Sequence, residues 1–268
     1  MAPPSVEQVP TVQRFTELIE ALKSTTEAPI WYRGVGKADY QLIPLLYRHP
    51  TIKVVSELIE LEGRILNRFR HRSIPYQDRL LDKDWEFLFL MQHYGVPTRL
   101  LDWSENPFIA LYFAIADAET HCVAGTFSGD AAVWVLNTQV WNNHILSPYW
   151  KGRVLTISDG PFIDSYKPTS DMKTLASDPI AVSGLHNSRR IVAQRGVFTI
   201  FGHNNAPMEK IFEDKAFPPE ALSELVLPQA NLASLRDALF GMGYTDSMIY
   251  PDLSGLAKEL KRQFGFEV

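Results

Sequence analysis

The sequence predicts a single α+β domain with a mixed β core flanked by helices, and three observations support this prediction. Apolar residues recur at helical spacing through the first half of the 268-residue chain. Short apolar runs typical of buried strands follow in the second half, and helical periodicity then returns. Helices and strands grouped in separate stretches are typical of the α+β class. With 46% hydrophobic and 21% charged residues, the composition excludes a disordered chain and a fibrous repeat.

The first half of the chain is predicted to be mainly helical. Residues 1–10 hold three prolines and no periodicity, so we expect a flexible N-terminal tail before a domain that covers residues 11–268. Residues 29–32 predict a strand that ends near Gly34. Asn106 is a suitable N-cap for an apolar helix, which we expect to be buried. The predicted helices cover roughly residues 11–22, 53–71, 84–95 and 106–116.

The second half is predicted to supply most of the strands. Residues 138–178 are rich in Asn, Ser, Asp, Gly and Pro, and they show little periodicity. Two further helices are expected near the end, over residues 232–240 and after the cap Asp252. The predicted strands are Ala131–Leu136, Pro179–Ser183, Arg190–Gln194, Gly196–Phe201 and Leu225–Leu227.

Charge and cysteine content exclude several classes of protein. The 26 basic and 31 acidic residues give a net charge of −5, which argues against a broad nucleic-acid binder but leaves room for a local basic pocket. The single Cys122 excludes a disulfide framework and a multi-thiolate zinc site, and it fits a reducing compartment. The sequence shows neither a signal peptide nor an apolar run long enough to cross a bilayer. We therefore expect a cytoplasmic protein with no membrane association.

Common catalytic signatures are absent from the sequence. Gly34-Val-Gly36-Lys37 lacks the spacing of a phosphate-binding loop, and there is no H-E-x-x-H or G-x-S-x-G motif. The histidines are scattered, so no metal is expected. Cys122 is interpreted as a small apolar residue.

Three segments nevertheless carry polar groups at the edge of apolar elements. Arg33, at the end of a predicted strand, can present a planar fork to phosphate or carboxylate, or it can be a surface arginine in a turn. Arg99 and Asp102 follow a tight Gly-Pro turn, and they can form a structural pair or serve chemistry. Gln194 interrupts an apolar pattern and needs a polar partner unless it faces water.

Together these segments resemble the FRG domain family, which is named for its Phe/Tyr-Arg-Gly motif. The resemblance spans roughly residues 10 to 265 and takes residues 138–178 as a family-variable insertion. It is carried by Trp31-Tyr-Arg-Gly34, by the long motif Gln92-His-Tyr-Gly-Val-Pro-Thr-Arg-Leu-Leu-Asp-Trp103, by Asn106-Pro107 with Ala110-Leu-Tyr-Phe-Ala114, by Gln194-Arg-Gly-Val-Phe198 and by Ile249–Ala257.

The motif order of the family resembles the ADP-ribosyltransferase-like fold, which implies NAD as a cofactor or substrate. By this resemblance Arg33, Asp102 and Gln194 are the catalytic residues, with Asp102 stabilising positive charge on the ribose and Gln194 orienting ribose hydroxyls. Many active transferases carry Glu at the position of Gln194, and an amide cannot supply that negative charge. The residues implied in nucleotide binding are Tyr32, Gly34, His93, Tyr94, Thr98, Arg99, Trp103, Tyr112, Gly196 and Phe198.

The resemblance implies an intracellular protein that binds NAD or a related nucleotide. Such a protein transfers ADP-ribose to a protein or nucleic-acid acceptor, or it cleaves the glycosidic bond. The family's association with bacterial and phage-related proteins implies a role in phage defence or as a toxin. The alternative is a non-catalytic sensing module that uses the same pocket. A metal-dependent nuclease is the weakest alternative, because no second carboxylate lies at a suitable spacing from Asp102.

Overall fold

The computed structural model describes residues 3–77, 80–122, 126–146, 150, 152–168, 172–184 and 189–266. Its described strands are β1 (Ser5–Gln8), β2 (Ile30–Val35), β3 (Leu100–Ser104), β4 (Ala131–Asn137), β5 (Leu155–Thr156), β6 (Ile180–Ser183), β7 (Gly196–Ile200) and β8 (Leu222–Leu227). Its described helices are α1 (Val12–Ser24), α2 (Val55–Ser73), α3 (Asp84–His93), α4 (Pro107–Glu119), α5 (Thr138–Leu146), α6 (Gly160–Ile163), α7 (Arg189–Gln194), α8 (Met208–Asp214), α9 (Leu232–Gly241), α10 (Asp246–Ile249) and α11 (Leu253–Gln263).

The strands form one mixed sheet in the order β1-β8-β4-β2-β3-β7-β6-β5. The two outermost pairs, β1 with β8 and β5 with β6, are parallel, and the other pairs are antiparallel. β2 pairs with β4 over six positions but with β3 through the single pair Tyr32–Ser104. The sheet therefore splits between β2 and β3, and this split sets the position of the candidate site.

Helix α4 packs closely against β2 beside this split. Its N-cap is Asn106, whose side chain accepts a hydrogen bond from the backbone N–H of Phe108, as predicted. A Cβ atom placed on Gly34 would lie 1.9 Å from the carbonyl oxygen of Ala110, so only glycine permits this approach. The predicted burial of α4 is confirmed, although Phe113 is only partly buried and faces the cleft described below.

The sheet is covered on both faces. Helices α1, α4 and α9 share one hydrophobic cluster with alternate residues of β2, β4 and β8. The other face carries a cluster that includes Trp31, Trp134, Trp141 and Phe212. The prediction of an α+β domain is thus confirmed as far as a mixed β core flanked by helices. No helix in the described part of the chain is long and apolar enough to cross a bilayer.

Two predicted segments differ from the structure. The flexible tail is wrong for residues 5–9, because Ser5–Gln8 pairs with β8 and Val9 is fully buried. All four residues of β1 are exposed, so this edge strand has no apolar alternation to reveal it. The predicted strand Arg190–Gln194 is helix α7, and its six residues are too few to show helical periodicity.

Residues 138–178 take part in the core although they were predicted only as an insertion. Helix α5 buries Trp141 completely, and strand β5 forms the edge of the sheet beside β6. Tyr166, in the turn after α6, is also buried. The described part of this segment is therefore an integral layer of the domain.

Candidate functional site

A cleft of about 710 Å³ opens where β2 and β3 separate. Arg33 from β2, Asp102 from β3 and Gln194 from the end of α7 all line it. Residues that are far apart in the chain therefore meet at one site. Their catalytic roles stay predictions.

Arg33 bridges the split in the sheet. Its Nη1 donates a hydrogen bond to the backbone carbonyl of Asp102 at 2.6 Å, at a point where the strands no longer pair. Its Nε is buried and has no hydrogen-bond partner among the described residues. Burial and the nearby Arg48 lower the pKa of Arg33, while Asp102 and Asp117 oppose this effect. A guanidinium group that is positively charged and still has N–H donors available is suited to bind an anionic ligand.

The Asp102 carboxylate is held in place by hydrogen bonds between side chains. Gln92 Nε2 donates to Asp102 Oδ2 at 2.6 Å, and Thr98 Oγ1 donates to Gln92 Oε1 at 2.5 Å. The backbone N–H of Leu100 donates to Thr98 Oγ1 at 3.1 Å. Thr98 therefore acts on the site through Gln92 rather than by touching a ligand itself, which corrects its predicted binding role.

The pKa of Asp102 is raised above its ordinary value. The side chain is open to the cleft, but the surrounding protein removes part of its hydration and disfavours the charged form. Arg33, the hydrogen bond from Gln92 and Arg190 act in the opposite direction. Asp102 therefore loses its proton at a higher pH than an exposed aspartate does, and its negative charge then lies next to arginine side chains.

Gln194 is fixed at the opposite wall by two contacts. Its Nε2 donates to the carbonyl of Ile249 at 3.3 Å, and its own backbone carbonyl accepts a hydrogen bond from Ser104 Oγ at 2.7 Å. Arg195 then turns the chain into β7 with a positive φ of 46°. No described residue donates to Gln194 Oε1, so this oxygen keeps its capacity to accept a hydrogen bond.

Arginine, lysine and aromatic side chains complete the cleft. The Arg190 guanidinium lies 4.7 Å from the centroid of the Tyr250 ring. Burial and Arg190 lower the pKa of His93. Residues on the cleft wall that the sequence analysis missed are Tyr40, Arg48, Gln92, Asp117, His121, Tyr250 and Lys258. Gln92 lies inside the long motif and was within reach of sequence reasoning, whereas Arg48 lies in a short 3-10 turn, Leu45–Arg48, that carries no motif.

The prediction that Arg99 holds phosphate is wrong. Arg99 is fully buried, and its Nε donates to Glu62 Oε2 at 2.7 Å. Its Nη1 and Nη2 donate to the carbonyls of Phe201 and Tyr166, both at 3.1 Å. The ion pair that orders this segment is therefore Arg99–Glu62, and Arg99 is not paired with Asp102.

Three aromatic residues predicted to bind a nucleotide occupy different positions. Tyr112 is buried away from the cleft, where its hydroxyl donates to Asp246 Oδ1 at 2.5 Å. Trp103 borders the cleft but is buried, and its Nε1 donates to Thr199 Oγ1 at 3.1 Å. Tyr94 lines a neighbouring groove instead of the cleft. A stacking role is therefore wrong for Tyr112, whereas for Tyr94 it stays a prediction.

The remaining predicted binding residues border the cleft. Tyr32 is fully buried, and desolvation raises its pKa to about 12. Among the described residues, no three His, Cys, Asp or Glu side chains come together as a metal site. The predicted residues on the cleft wall are Tyr32, Gly34, His93, Trp103, Gly196 and Phe198.

Comparison with known proteins identifies one family. The model of the FRG domain matches residues 28–122, which run from β2 to the end of α4 and include Arg33 and Asp102. These residues are similar to the FRG domain, as the motifs predicted. No curated protein and no solved structure matches the chain. Gln194 lies outside the matched residues, so its role is supported only by its place in the cleft.

Proposed function

We propose that the cleft binds NAD or a related anionic nucleotide and that the protein acts on the glycosidic bond of that nucleotide. The observation that supports this best is the charge of the cleft. Arg33, Arg48 and Arg190 line it against Asp102 and Asp117, in a chain whose net charge is −5, while the fourth basic residue, Lys258, is paired with Asp246. Local field rather than net charge governs capture of an ion in a cleft, and guanidinium groups match the oxygens of a diphosphate.

The proposed chemistry places one role on each predicted catalytic residue. Arg33 holds phosphate through the N–H groups that its bond to Asp102 leaves over. As the bond between the ribose carbon and the nicotinamide nitrogen breaks, its electron pair leaves with neutral nicotinamide and positive charge develops on the ribose. The Asp102 carboxylate faces that charge, and Gln194 Oε1 accepts a hydrogen bond from a ribose hydroxyl. The oxygen of water, or a nucleophilic atom of an acceptor, then forms a bond to the ribose carbon and releases its proton to solvent.

The experiment combines ligand binding with turnover. Purified protein is titrated with NAD in a calorimeter, and nicotinamide release is followed by chromatography. Arg33→Lys should weaken binding at least tenfold, because a point charge loses the planar fork. Asp102→Asn should leave binding nearly intact and reduce nicotinamide release at least a hundredfold, because its charge acts in the transition state.

Two exposed residues outside the cleft supply matched controls. Arg64→Lys and Asp82→Asn repeat the same chemical changes and should leave binding and turnover as in the wild type. If calorimetry shows no binding of NAD, ADP-ribose or another nucleotide to the folded wild-type protein, the proposal fails. Unfolding of the Asp102→Asn variant would instead assign Asp102 a structural role.

A non-catalytic sensing module is the second candidate, and the amide of Gln194 favours it. Gln194 is neutral, whereas many active transferases of the ADP-ribosyltransferase-like fold carry a glutamate at the corresponding position. A sensing module would bind the same nucleotide with the same loss on Arg33→Lys, but it would release no nicotinamide. The turnover measurement separates the two functions. In either case we propose a bacterial effector of the phage-defence or toxin kind.

A further inference from the structure

A second groove of about 460 Å³ lies beside the cleft. The two cavities share Arg33, Arg48, His93, Asp102 and Arg190, so they meet at the arginine side chains. The groove then continues along the turn after α3, past Tyr94. A ligand in this groove would therefore have its own walls and would reach the same charged groups as a ligand in the cleft.

The groove carries an excess of positive charge. Arg48 is exposed and forms no ion pair with a described residue, and the described hydrogen bond of Arg33 is to a backbone carbonyl. Arg190 stacks on Tyr250, and it forms no ion pair within the described part of the chain. Asp102 is the only carboxylate among the described residues that line the groove. Three guanidinium groups against one carboxylate favour an anionic ligand and disfavour a basic one.

An exposed aromatic ring stands at the rim of this charged groove. Tyr94 is 69% exposed, so its ring is open to a ligand in the groove. The His93 and Tyr94 rings form a T-shaped contact, with centroids 4.8 Å apart and planes at 80°. Gly95 has a φ of +71°, which ends the helical conformation. Tyr94 is therefore the C-cap of α3. The Tyr94 ring is thus in contact with His93 while most of its surface is open to solvent.

We propose that this groove binds single-stranded nucleic acid, with a phosphate on Arg48 and a base stacked on Tyr94. Exposed aromatic rings next to cationic groups are the usual platform for unpaired bases, because every base has a flat face and every linkage carries a charge. A duplex keeps its bases stacked on one another and cannot use the ring. This site goes beyond the proposed function, because its occupancy does not require NAD.

The test measures binding of a strand in the absence of any nucleotide. A fluorescein-labelled oligothymidine of about ten nucleotides is titrated with the full chain, and fluorescence anisotropy is recorded at several salt concentrations. Tyr94→Ser should weaken binding at least fivefold, which corresponds to the lower end of one base–aromatic stack. Arg48→Gln should weaken binding and reduce the slope of log K against log salt by about 0.7, the value for one phosphate contact on a single strand.

Two exposed residues outside the groove again provide controls. Tyr76→Ser removes a ring that is 87% exposed, and Arg64→Gln removes an exposed arginine. Both controls should bind the strand as the wild type does, and a duplex of the same sequence should bind at least tenfold more weakly.

Several outcomes would overturn the proposal. They are absence of strand binding at low salt, equal binding of strand and duplex, and equal effects of the groove and control variants. Displacement of the strand by a phosphopeptide but not by a second unlabelled strand would assign the groove to phosphorylated protein instead. Because NAD is absent from these titrations, their failure leaves the NAD experiment untouched, and the reverse also holds.

Discussion

At the scale of single residues, the buried Arg99 guanidinium is bonded entirely to the protein. Both it and Glu62 are fully buried, and Glu62 Oε1 also accepts the backbone N–H of Arg99 at 2.9 Å. A charge removed from water is tolerated only while its partner is present. The pair joins α2 to the start of β3, directly beside the Thr98 and Gln92 side chains that position Asp102.

Removal of one member of this pair should therefore destabilise the whole domain. We expect Glu62→Gln to lower the free energy of unfolding by about 3–5 kcal/mol, because it leaves the Arg99 charge buried and uncompensated. Urea denaturation followed by circular dichroism measures this loss. Glu60→Gln, on the exposed face of the same helix, makes the same chemical change and should have little effect. Equal stability of the two variants would contradict the structural role of the pair.

The success of sequence reasoning at this scale depends on how local the signal is. Arg33 and Asp102 were found because each lies in a motif, and both line the cleft. Arg99 lies in the same motif as Asp102, but its role is decided by Glu62, which is 37 residues away. Arg48 has no motif around it at all. A sequence shows which residues have reactive or charged side chains. It does not show which of these side chains are paired with another side chain in the folded protein.

At the scale of elements, the contact between β2 and α4 fixes the wall of the cleft. Gly34 lies under the backbone of α4, where an added Cβ would approach Ala110 O to 1.9 Å and Ala114 N to 2.4 Å. Backbone atoms cannot rotate away as a side chain can, so the helix would have to shift. Because Ala110 and Phe113 of this helix line the cleft, such a shift would also move its wall.

Two glycines make a matched test of this contact. Gly34→Ala should lower the free energy of unfolding by about 3 kcal/mol, the upper range for overpacking in a core. Gly63→Ala, in the interior of α2 with nothing within 4 Å of the new methyl group, should raise it by up to about 1 kcal/mol. Thermal melts of both variants give the comparison. A stable Gly34→Ala variant would show that α4 is free to move away from β2.

Elements with a strong pattern or cap were predicted well, and those without one were not. Helix α4 has an N-cap, a proline in its first turn and a long apolar run, and each of these signals is local. Strand β1 is an exposed edge strand, and its extended conformation is stabilised by backbone pairing with the edge of β8. Helix α7 has one buried residue, Ile191, so its pattern could not separate helix from strand. In these two cases the tertiary partner decides the structure.

At the scale of the whole molecule, no single segment of the sequence predicts the strand order or the split in the sheet. The order places β2 between β4 and β3, although β3 and β4 are separated by α4 in the chain. Hydrophobic periodicity predicts where strands are but does not specify their neighbours. The cleft follows from that order, because it opens at the one junction where two central strands share a single pair.

Buried acids distributed over the molecule also give its stability a predictable dependence on pH. Burial, together with the nearby Glu209, raises the pKa of Glu224 from 4.5 to about 7, and one carboxylate oxygen of Glu224 is buried without a hydrogen-bond partner. Burial raises the pKa of Glu209 and of Asp102 as well. In the opposite direction, hydrogen bonds to Arg153 lower the pKa of Asp159 to about 2.

The sign of the effect follows from proton linkage. Between pH 4.5 and about 7 the folded protein holds a proton on Glu224 that the unfolded chain has already released. The folded state therefore binds more protons, and the free energy of unfolding falls as the pH rises through this window, by on the order of 2 kcal/mol for this group. Asp159 acts in the usual direction, and its contribution is lost only as the pH falls toward 2.

We therefore expect thermal stability to be greatest in mildly acidic solution and to fall toward pH 8. Glu224→Gln should flatten this decline, because a neutral amide has no proton to release, and it should raise the melting temperature most at pH 8. Glu60→Gln changes the net charge by the same amount on an exposed surface and should leave the decline as it is in the wild type. Melting curves of the three proteins at half-unit pH intervals measure both slopes. A decline that is equally steep in the Glu224→Gln variant would mean that Glu224 is already ionised at pH 5 and that other groups, with Asp102 and Glu209 first among them, carry the dependence.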